Sequence, residues 1–563
     1  MSSHFITVCL DCGAQSPFLP GAPACPKCGS LWREAIYDYE NLAFTLPVVL
    51  PGRPFDIWRY RELLPIRDPN PDYSLGEGGT PLIHAKNLGM MLGLHNLYIK
   101  DERQGPTTSF KDRQAALMMA SLKEAGINEM VCASTGNVAI SYSAYAARAG
   151  IKLWAFLTSL VPAAKMREVA LYGTQVVKIT GTYDEAKQLA AQFAKQRNLF
   201  LDLGARSIPC LESMKTIAFE ITEQLTALFG PPTAPDQTEQ ATPWRSPDWY
   251  VQSVSGGMGP LGVMKGFHEL HLMRLTNQEP KVAMIQSEGC APMVHAWKQK
   301  KDTAIPVKSP HTLIETLATG DPARTYTQIY KKMKAASDGE FESVSDEEAF
   351  RAMHFLAKME GLSIEPAAAV AFAGLVKLVR AGKIKADEIV VVNCTGHTMS
   401  IERNILGEGW ERNINVTSDS LDENGREEGL LAALSNVGID RFPRIAIVDD
   451  EPNVRTLIRR ILQSQGNYKL YEASNGKDAV EMIKKEHPNL ILLDLMMPDM
   501  DGFQVMDALQ LNQETKDIPI IVITAKELTP AEKNRLKGHI QSLMQKGDFM
   551  NDELLDEVRA LLK

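Results

Sequence analysis

The stretch that decides the fold is MVCASTGNVAISYSAYAARAGIKLWAFL, residues 130–157. Apolar residues at 130–133 predict a strand, a helix-period segment follows at 138–149, and a second apolar run occupies 153–157. The pattern continues with a helical segment at 165–172 and an apolar run at 176–179. Strand and helix that alternate in this way predict a parallel α/β sheet with helices on both faces.

Length and composition limit the class of protein. The chain has 563 residues, and a domain typically takes about 100 to 200, which predicts three or four structural units. A net charge of −9 offers no basic surface for nucleic acid or an anionic membrane, so we exclude both as partners. The N-terminus has no leader pattern and no stretch approaches the roughly 18 apolar residues of a membrane span, which favours a cytoplasmic protein.

Composition also changes along the chain. A segment rich in Pro, Thr and Gln at 230–247 predicts a surface insertion, and an acidic polar segment at 417–429 predicts a linker. Regular alternation resumes at Arg444. The predicted division is 1–37, 38–415, a linker at 416–442, and 443–563.

Four of the eight cysteines form two CxxC pairs near the start of the chain, and each pair is followed by glycine. Four thiolates at this spacing can close a tetrahedral Zn²⁺ site, and no open coordination position is evident, so the predicted role is structural. The remaining cysteines are scattered singly, which is unlike a disulfide framework. The predicted zinc ligands are Cys9, Cys12, Cys25 and Cys28.

Lys111 lies at a predicted helix start in the motif Ser-Phe-Lys-Asp-Arg. Partial desolvation beside Phe110 would lower its pKa and free the amine to attack an aldehyde. Three further motifs follow strands: a turn at 134–137 that can hold a carboxylate, a glycine loop at 255–259 that can wrap a phosphate, and Thr395-Gly396-His397. Together these motifs predict a site for pyridoxal phosphate.

These residues resemble the threonine synthase family, which has the tryptophan-synthase-β fold (fold type II) with two α/β subdomains. The motifs that carry the resemblance are Ser109-Phe110-Lys111-Asp112-Arg113, Ser134-Thr135-Gly136-Asn137, Glu77-Gly78-Gly79-Thr80-Pro81-Leu82, Glu365-Pro366-Ala367 and Thr395-Gly396-His397. The resemblance covers about residues 5–410, and the cysteine pairs are similar to the zinc ribbon at the start of some threonine synthases. It implies a carbon–oxygen lyase that converts O-phosphohomoserine and water to threonine and phosphate.

The resemblance also implies roles for individual residues. Lys111 would carry the cofactor and move protons, Asn137 would bond the ring hydroxyl, and Thr395 would meet the pyridine nitrogen. The substrate carboxylate would lie at Ser134 and Thr135. The cofactor phosphate would be held by Ser255, Gly256, Gly257, Met258 and Gly259.

The chain departs from the family where the substrate phosphate is held. The expected Asn-Ser pair is Gly204-Ala205, the expected Arg is Cys210, and Val138 replaces a Thr. Losing charged donors forfeits strong bonds to phosphate, although Arg206 lies close enough in sequence to compensate. The small amino-acid substrate therefore stays open between the family reaction, a cysteate-synthase-like β-replacement and a serine or threonine ammonia-lyase. A cofactor-binding scaffold without turnover is the alternative from another class.

The C-terminal segment carries acidic residues at the ends of apolar runs. Runs at 444–448, 490–493, 518–523 and 540–544 predict strands. Carboxylates that gather at one sheet edge need a hard cation between them, and Mg²⁺ fits oxygen ligands. The predicted carboxylates are Asp449, Asp450 and Asp494.

Over about residues 443–563 this segment resembles a two-component receiver domain, a flavodoxin-like (βα)5 fold. The resemblance implies that Asp494 accepts a phosphoryl group from a histidine kinase or a phosphotransfer protein. Asp449 and Asp450 would bind Mg²⁺, and Thr524 and Lys546 would contact the phosphoryl oxygens. Leu543 replaces a common aromatic residue and Gly547 a common proline.

The predicted output of the receiver is the enzyme itself. We expect phosphorylation at Asp494 to change turnover through a coupling free energy between two sites. The rival prediction is that the receiver only localises or dimerises the enzyme. A homodimer is the assembly that the fold-type-II resemblance implies.

Overall fold

The computed structural model describes residues 4–67, 69–134, 136–158, 161, 163–179, 183–232, 242–336, 339–397, 443–465, 468–526, 528–546 and 553–562. The predicted linker at 416–442, the turn residue Thr135 and Gly547 lie outside these residues. The chain forms two compact units. The first comprises Met1–Lys86, Leu94–Met353 and Ser363–Ile401, and the second Asn87–Gly93, His354–Leu362 and Glu402–Lys563.

A small antiparallel sheet opens the first unit. Its strands lie in the order β2-β1-β3, and Phe5 pairs with Tyr37 while Cys9 pairs with Arg33. Inward and outward residues alternate along the two longer strands, β1 and β3, as the two-residue period of a strand requires. The elements are β1 (Phe5–Cys9), β2 (Gln15–Ser16), β3 (Arg33–Tyr37) and the following helix α1 (Tyr39–Val49).

Two α/β sheets make up the rest of the first unit. One has six strands in the order β12-β11-β10-β13-β5-β4 and is parallel except for the edge strand β4; the other is parallel, in the order β8-β7-β6-β9. The strands are β4 (Leu82–His84), β5 (Asn96–Asp101), β6 (Glu129–Ser134), β7 (Lys152–Thr158), β8 (Gln175–Ile179), β9 (Phe200–Leu201), β10 (Trp249–Ser253), β11 (Lys281–Ser287), β12 (Glu340–Val344) and β13 (Ile389–Cys394). The parallel alternation predicted from residues 130–179 is confirmed.

Helices follow most of these strands. They are α2 (Lys86–Leu92), α3 (Lys111–Glu124), α4 (Asn137–Ala149), α5 (Ala163–Leu171), α6 (Tyr183–Arg197), α7 (Ile208–Phe229), α8 (Met258–Leu272), α9 (Pro292–Lys298), α10 (Arg324–Ala336), α11 (Asp346–Glu360) and α12 (Pro366–Arg380). The central strands β10 and β13 are buried along their whole length, which is why they are apolar runs and not alternating ones. Within the described residues, no helix is long and apolar enough to cross a membrane.

A buried ionic cluster joins the small antiparallel sheet to α7 and α8. Lys265 of α8 donates to the carbonyl of Ala35 at 2.6 Å and to Glu212 of α7 at 2.5 Å. Tyr37 donates to the other oxygen of Glu212 at 3.0 Å. Charges this deep must be paired to be tolerated, so the cluster fixes β3 against the two helices.

The second unit contains a five-stranded parallel sheet in the order β15-β14-β16-β17-β18, which confirms the (βα)5 prediction. Its strands are β14 (Arg444–Val448), β15 (Lys469–Ala473), β16 (Leu490–Leu493), β17 (Ile520–Thr524) and β18 (Ser542–Gln545). Its helices are α13 (Pro452–Gln465), α14 (Gly476–Glu486), α15 (Gly502–Gln510), α16 (Pro530–Leu536) and α17 (Glu553–Leu561). The third and fourth predicted strands each begin two residues later than expected. For the third strand the reason is Pro519, which has no backbone N–H to contribute to the sheet.

Candidate active site and phosphoacceptor site

The segment around Lys111 lies against the segment around Thr395. The amide of Phe110 donates to the carbonyl of Thr395 at 3.1 Å, and the amide of His397 donates to the carbonyl of Thr108 at 3.0 Å. Thr395 is buried directly after β13, at the carboxyl end of the sheet. Two motifs separated by almost 300 residues of sequence therefore form one wall of a site.

Lys111 is the first residue of α3 and is partly buried. Its Nζ lies 4.1 Å from the centre of the Phe110 ring. Burial lowers the pKa of Lys111 to about 8, although the carboxylates of Asp202 and Glu365 oppose the shift. The predicted direction of the pKa change is confirmed, and an amine with this pKa is available to react with an aldehyde near neutral pH.

The arginine of the Lys111 motif fixes the helix start. Arg113 is buried and donates to Glu220 of α7 at 2.5 Å and to Glu102 at 2.8 Å. Lys100 completes the network with a 2.7 Å contact to the second oxygen of Glu220. Because both carboxylates are paired within the protein core, the first turn of α3 has one position relative to the sheet.

The glycine loop at 255–259 leads into α8, whose first residue is Met258. The hydroxyl groups of Ser255 and Thr319 are 2.6 Å apart. Gly259 lies against Phe110, where a Cβ would come within 3.0 Å of the ring. The loop thus lies beside the Lys111 segment at a helix N-terminus, where backbone N–H groups favour a phosphate.

The Asn137 turn lies between two charged side chains that are distant in sequence. The amide of Asn137 donates to both oxygens of Glu365, at 3.0 and 2.9 Å, and its carbonyl accepts from Lys165 at 2.7 Å. Glu365 precedes α12 and its own amide donates to the carbonyl of Gly396 at 3.1 Å. Lys165 went unrecognised in the sequence because nothing local distinguishes it from a solvated lysine in α5.

Ser134 has a more local role than predicted. Its hydroxyl oxygen accepts from the amides of Gly136 and Ala139 at 3.0 and 3.1 Å, so it caps the start of α4. The hydroxyl proton remains the group that Ser134 offers to a carboxylate.

The predicted phosphate-holding stretch contains no buried cation among its described residues. Cys210 is buried, 3.2 Å from the Tyr142 hydroxyl and 3.5 Å from Asp202. Burial raises the pKa of Cys210 well above its usual value, so it stays a neutral thiol. Arg206, considered above as a substitute cation, is exposed and lines a surface cavity with Phe18 and Pro23.

The four N-terminal cysteines converge as predicted. The sulfurs of Cys9 and Cys28 are 3.5 Å apart and those of Cys12 and Cys25 are 3.7 Å apart. Four ligands at about 2.3 Å from Zn²⁺ in a tetrahedron lie about 3.8 Å from one another, close to these separations. The glycines after each pair, Gly13 and Gly29, have φ of 68° and 76°, the left-handed conformation that the knuckle turn requires.

The receiver carboxylates also converge. Asp449, Asp450 and Asp494 place ligand oxygens within 4.8 Å of one another. Lys546 lies 2.9 Å from Asp449 and 2.8 Å from Asp494. Burial would lower the pKa of Lys546, but the Asp494 and Asp449 carboxylates raise it, so it stays a cation. Thr524 is buried at the end of β17, and Leu543 is exposed.

The fold and the first site define a class: α/β enzymes that hold an aldehyde cofactor with a lysine and a glycine loop. The family model for pyridoxal-phosphate dependent enzymes matches residues 73–396, and that for the response regulator receiver domain matches 445–559. The chain belongs to the pyridoxal-phosphate dependent enzyme family, as a relative of threonine synthases joined to a receiver domain.

Individual proteins support this placement. Threonine synthase from Methanocaldococcus jannaschii is 35% identical over 69% of this chain and 91% of its own length. Threonine synthase from Methanosarcina acetivorans is 33% identical over 71% of this chain and 93% of its own length. The crystal structure of diaminopropionate ammonia lyase from Escherichia coli shares the fold, with a TM-score of 0.50 and 16% identity over 60% of this chain and 89% of that one.

Proposed function

We propose that this enzyme holds pyridoxal phosphate on Lys111 and cleaves a carbon–oxygen bond of a small amino acid, as threonine synthases do. The observation that supports this most is the convergence of Lys111, Asn137, the loop at 255–259 and Thr395 from four separate segments. Bound pyridoxal phosphate supplies a ring that accepts the electrons released when the substrate loses its Cα proton. Lys111, with a pKa of about 8, is the base for that proton.

The other residues bind and orient. The loop at 255–259 and the N-terminus of α8 would hold the cofactor phosphate, and the buried Thr395 would supply a hydroxyl to the pyridine nitrogen. Asn137 donates to the ring oxygen. The turn at 134–137 receives the substrate carboxylate through backbone amides and the Ser134 hydroxyl.

The proposed reaction is the conversion of O-phosphohomoserine and water to threonine and phosphate, because both threonine synthases above match over nine-tenths of their length. A second candidate is deamination of serine or threonine, which needs no substrate phosphate. The neutral thiol of Cys210, held between Tyr142 and Asp202, favours this second candidate, since it offers an anion no charge-assisted bond.

A substrate panel separates the two reactions. Purified holoenzyme is mixed with O-phosphohomoserine, O-phosphoserine, serine or threonine, and released phosphate and ammonia are measured together. Phosphate with an equal amount of threonine from O-phosphohomoserine supports the first reaction. Ammonia from serine or threonine alone contradicts it and supports the second, and no product from any of the four contradicts both and leaves a cofactor-binding scaffold.

For the C-terminal domain we propose phosphorylation of Asp494 by a histidine kinase or a phosphotransfer protein, with Mg²⁺ bound by Asp449, Asp450 and Asp494. The oxygen cluster within 4.8 Å suits a hard divalent cation, and Lys546 can neutralise the added phosphoryl charge. We propose further that the phosphorylated receiver changes the turnover of the enzyme and that the domains divide at 1–37, 38–415, 416–442 and 443–563.

For the N-terminal segment we propose a structural zinc ion on Cys9, Cys12, Cys25 and Cys28. The double substitution Cys12→Ser with Cys25→Ser is expected to remove one equivalent of zinc and to lower the melting temperature by at least about 5 °C, because β3 reaches the buried charges of Glu212 and Lys265. Metal analysis and thermal unfolding measure both effects. Cys290→Ser, at a buried cysteine outside the quartet, is the control; equal zinc content in both variants contradicts the proposal.

A further inference from the structure

Lys165 is a buried cation that the proposed chemistry does not yet use. It is 6% exposed, and its Nζ donates to the Asn137 carbonyl oxygen at 2.7 Å. Lysine is almost never buried without a specific partner, because removing an ammonium group from water is costly. The contact with Asn137 has the length of a charge-assisted hydrogen bond, whereas the Glu365 carboxylate is 3.8 Å away, beyond hydrogen-bond distance.

The position of Lys165 depends on the turn that precedes Asn137. Gly136 has φ of 137°, and a Cβ there would lie 3.1 Å from Cδ of Lys165. The aliphatic part of Lys165 therefore passes directly over Gly136, where any larger residue at position 136 would crowd it. This places the ammonium group on one side of the Asn137 amide.

Chemistry then fixes which way the Asn137 amide faces. An ammonium group only donates hydrogen bonds and a carboxylate only accepts them. Lys165 therefore holds the carbonyl oxygen of Asn137, and one N–H of the same amide is shared between the two oxygens of Glu365, at 3.0 and 2.9 Å, which leaves the other N–H for the cofactor. The opposite orientation would set the amide NH₂ against the ammonium and the carbonyl against the carboxylate.

The orientation matters for the cofactor. The ring oxygen of pyridoxal phosphate accepts hydrogen bonds in its anionic form, so it needs an N–H of Asn137 and not the carbonyl. Hydrogen bonds in a chain also polarise one another, so a cation on the carbonyl strengthens the N–H donor.

The geometry points to Lys165 as a positioning residue that orients the Asn137 amide toward the ring oxygen of the cofactor. This inference rests on the proposed binding of pyridoxal phosphate at Lys111. It assigns a role to Lys165 that acts through Asn137 and not through direct contact with the substrate.

The test is a double-mutant cycle on the holoenzyme, with pyridoxal phosphate affinity and the absorption maximum of the lysine-bound cofactor measured without substrate. Lys165→Met is expected to weaken cofactor affinity about tenfold and to shift the absorption maximum. Lys165→Arg keeps the cation and is expected to restore both in large part. In an Asn137→Ala background, Lys165→Met is expected to have no further effect on either measurement.

Several results would overturn the inference. Cofactor affinity within twofold of wild type in Lys165→Met excludes a positioning role. Effects that add fully in the double variant show that Lys165 does not act through Asn137. Lys178→Met, at an exposed lysine of β8, is the control for loss of a positive charge, and an equal effect there contradicts a specific role.

A different set of results would show that the proposed pyridoxal phosphate site at Lys111 is itself wrong. If the wild-type protein forms no lysine-bound cofactor absorbance, or forms it equally in Lys111→Ala, the proposed site is wrong irrespective of Lys165. If Lys165→Met unfolds, the Lys165→Arg and Asn137→Ala variants still test whether the two residues act as one unit.

Discussion

Lys111→Ala is expected to lower turnover by at least about a thousandfold, because it removes both the attachment point of the cofactor and the base that moves the substrate proton. The contacts around Lys111 fix the position of its backbone, so another amine could not easily take the place of its side chain. Arg113 fixes the first turn of α3 through Glu102 and Glu220, and Phe110 lies against both the amine and the glycine loop.

Two measurements check this expectation. Borohydride reduction followed by peptide mass analysis should find the cofactor mass on the peptide that contains Lys111 in wild type and on none in Lys111→Ala. Steady-state kinetics with the active substrate of the panel should show the loss of turnover. Lys123→Ala, in the last turn of the same helix, is the control and should keep wild-type turnover. Turnover retained in Lys111→Ala, or cofactor mass on a different lysine, would refute the assignment.

Asp494→Asn is expected to reduce phosphoryl incorporation from acetyl phosphate to background. The amide lacks the nucleophilic oxygen, and the charge that would help hold Mg²⁺ with Asp449 and Asp450 is lost. Incorporation is measured by mass or by phosphate-affinity electrophoresis with and without Mg²⁺. Asp499→Asn is the matched control, because Asp499 lies in the same loop at φ of 65°, a conformation that asparagine tolerates.

The same variant tests regulation. If phosphorylation acts on the enzyme, turnover of acetyl-phosphate-treated wild type should differ from untreated protein by about fivefold or more, and Asp494→Asn should show no difference. Identical kinetics in wild type and Asp494→Asn, each with and without acetyl phosphate, would contradict the proposed regulation but not the proposed phosphorylation. Sedimentation of the same samples then asks whether the receiver changes the oligomeric state instead.

The sequence predicted the alternating part of the fold well. The strands at 130–133, 153–157 and 490–493 and the helical segments at 138–149 and 165–172 appear within one or two residues of the expected bounds. Period and apolar content decide these elements locally, and each element is long enough to show its pattern. Parallel strands also bring their carboxyl ends to one edge, so Thr395 after β13 was predictable as a site residue.

The electrostatic environment of the site was harder to predict from the sequence than the fold. The lowered pKa of Lys111 followed from its apolar neighbour, but the carboxylates that oppose the shift, at Asp202 and Glu365, come from distant segments. The exposure of Arg206 was also not predictable. Proximity in sequence suggested a substitute cation, and the short helical turn at 204–206 places this residue at an exposed position.

The sequence by itself determined the α/β architecture, and it located the lysine, the glycine loop, the cysteine quartet and the aspartate proposed to accept a phosphoryl group, because each depends on local pattern and residue chemistry. Only the tertiary structure decided that Asn137 lies between Lys165 and Glu365, residues 28 and 228 positions away along the chain. Such contacts leave no periodic or compositional signal, since they exist only once separate strands and helices have packed. The same packing left Arg206 exposed and buried the neutral thiol of Cys210, the position at which the resemblance implies an arginine.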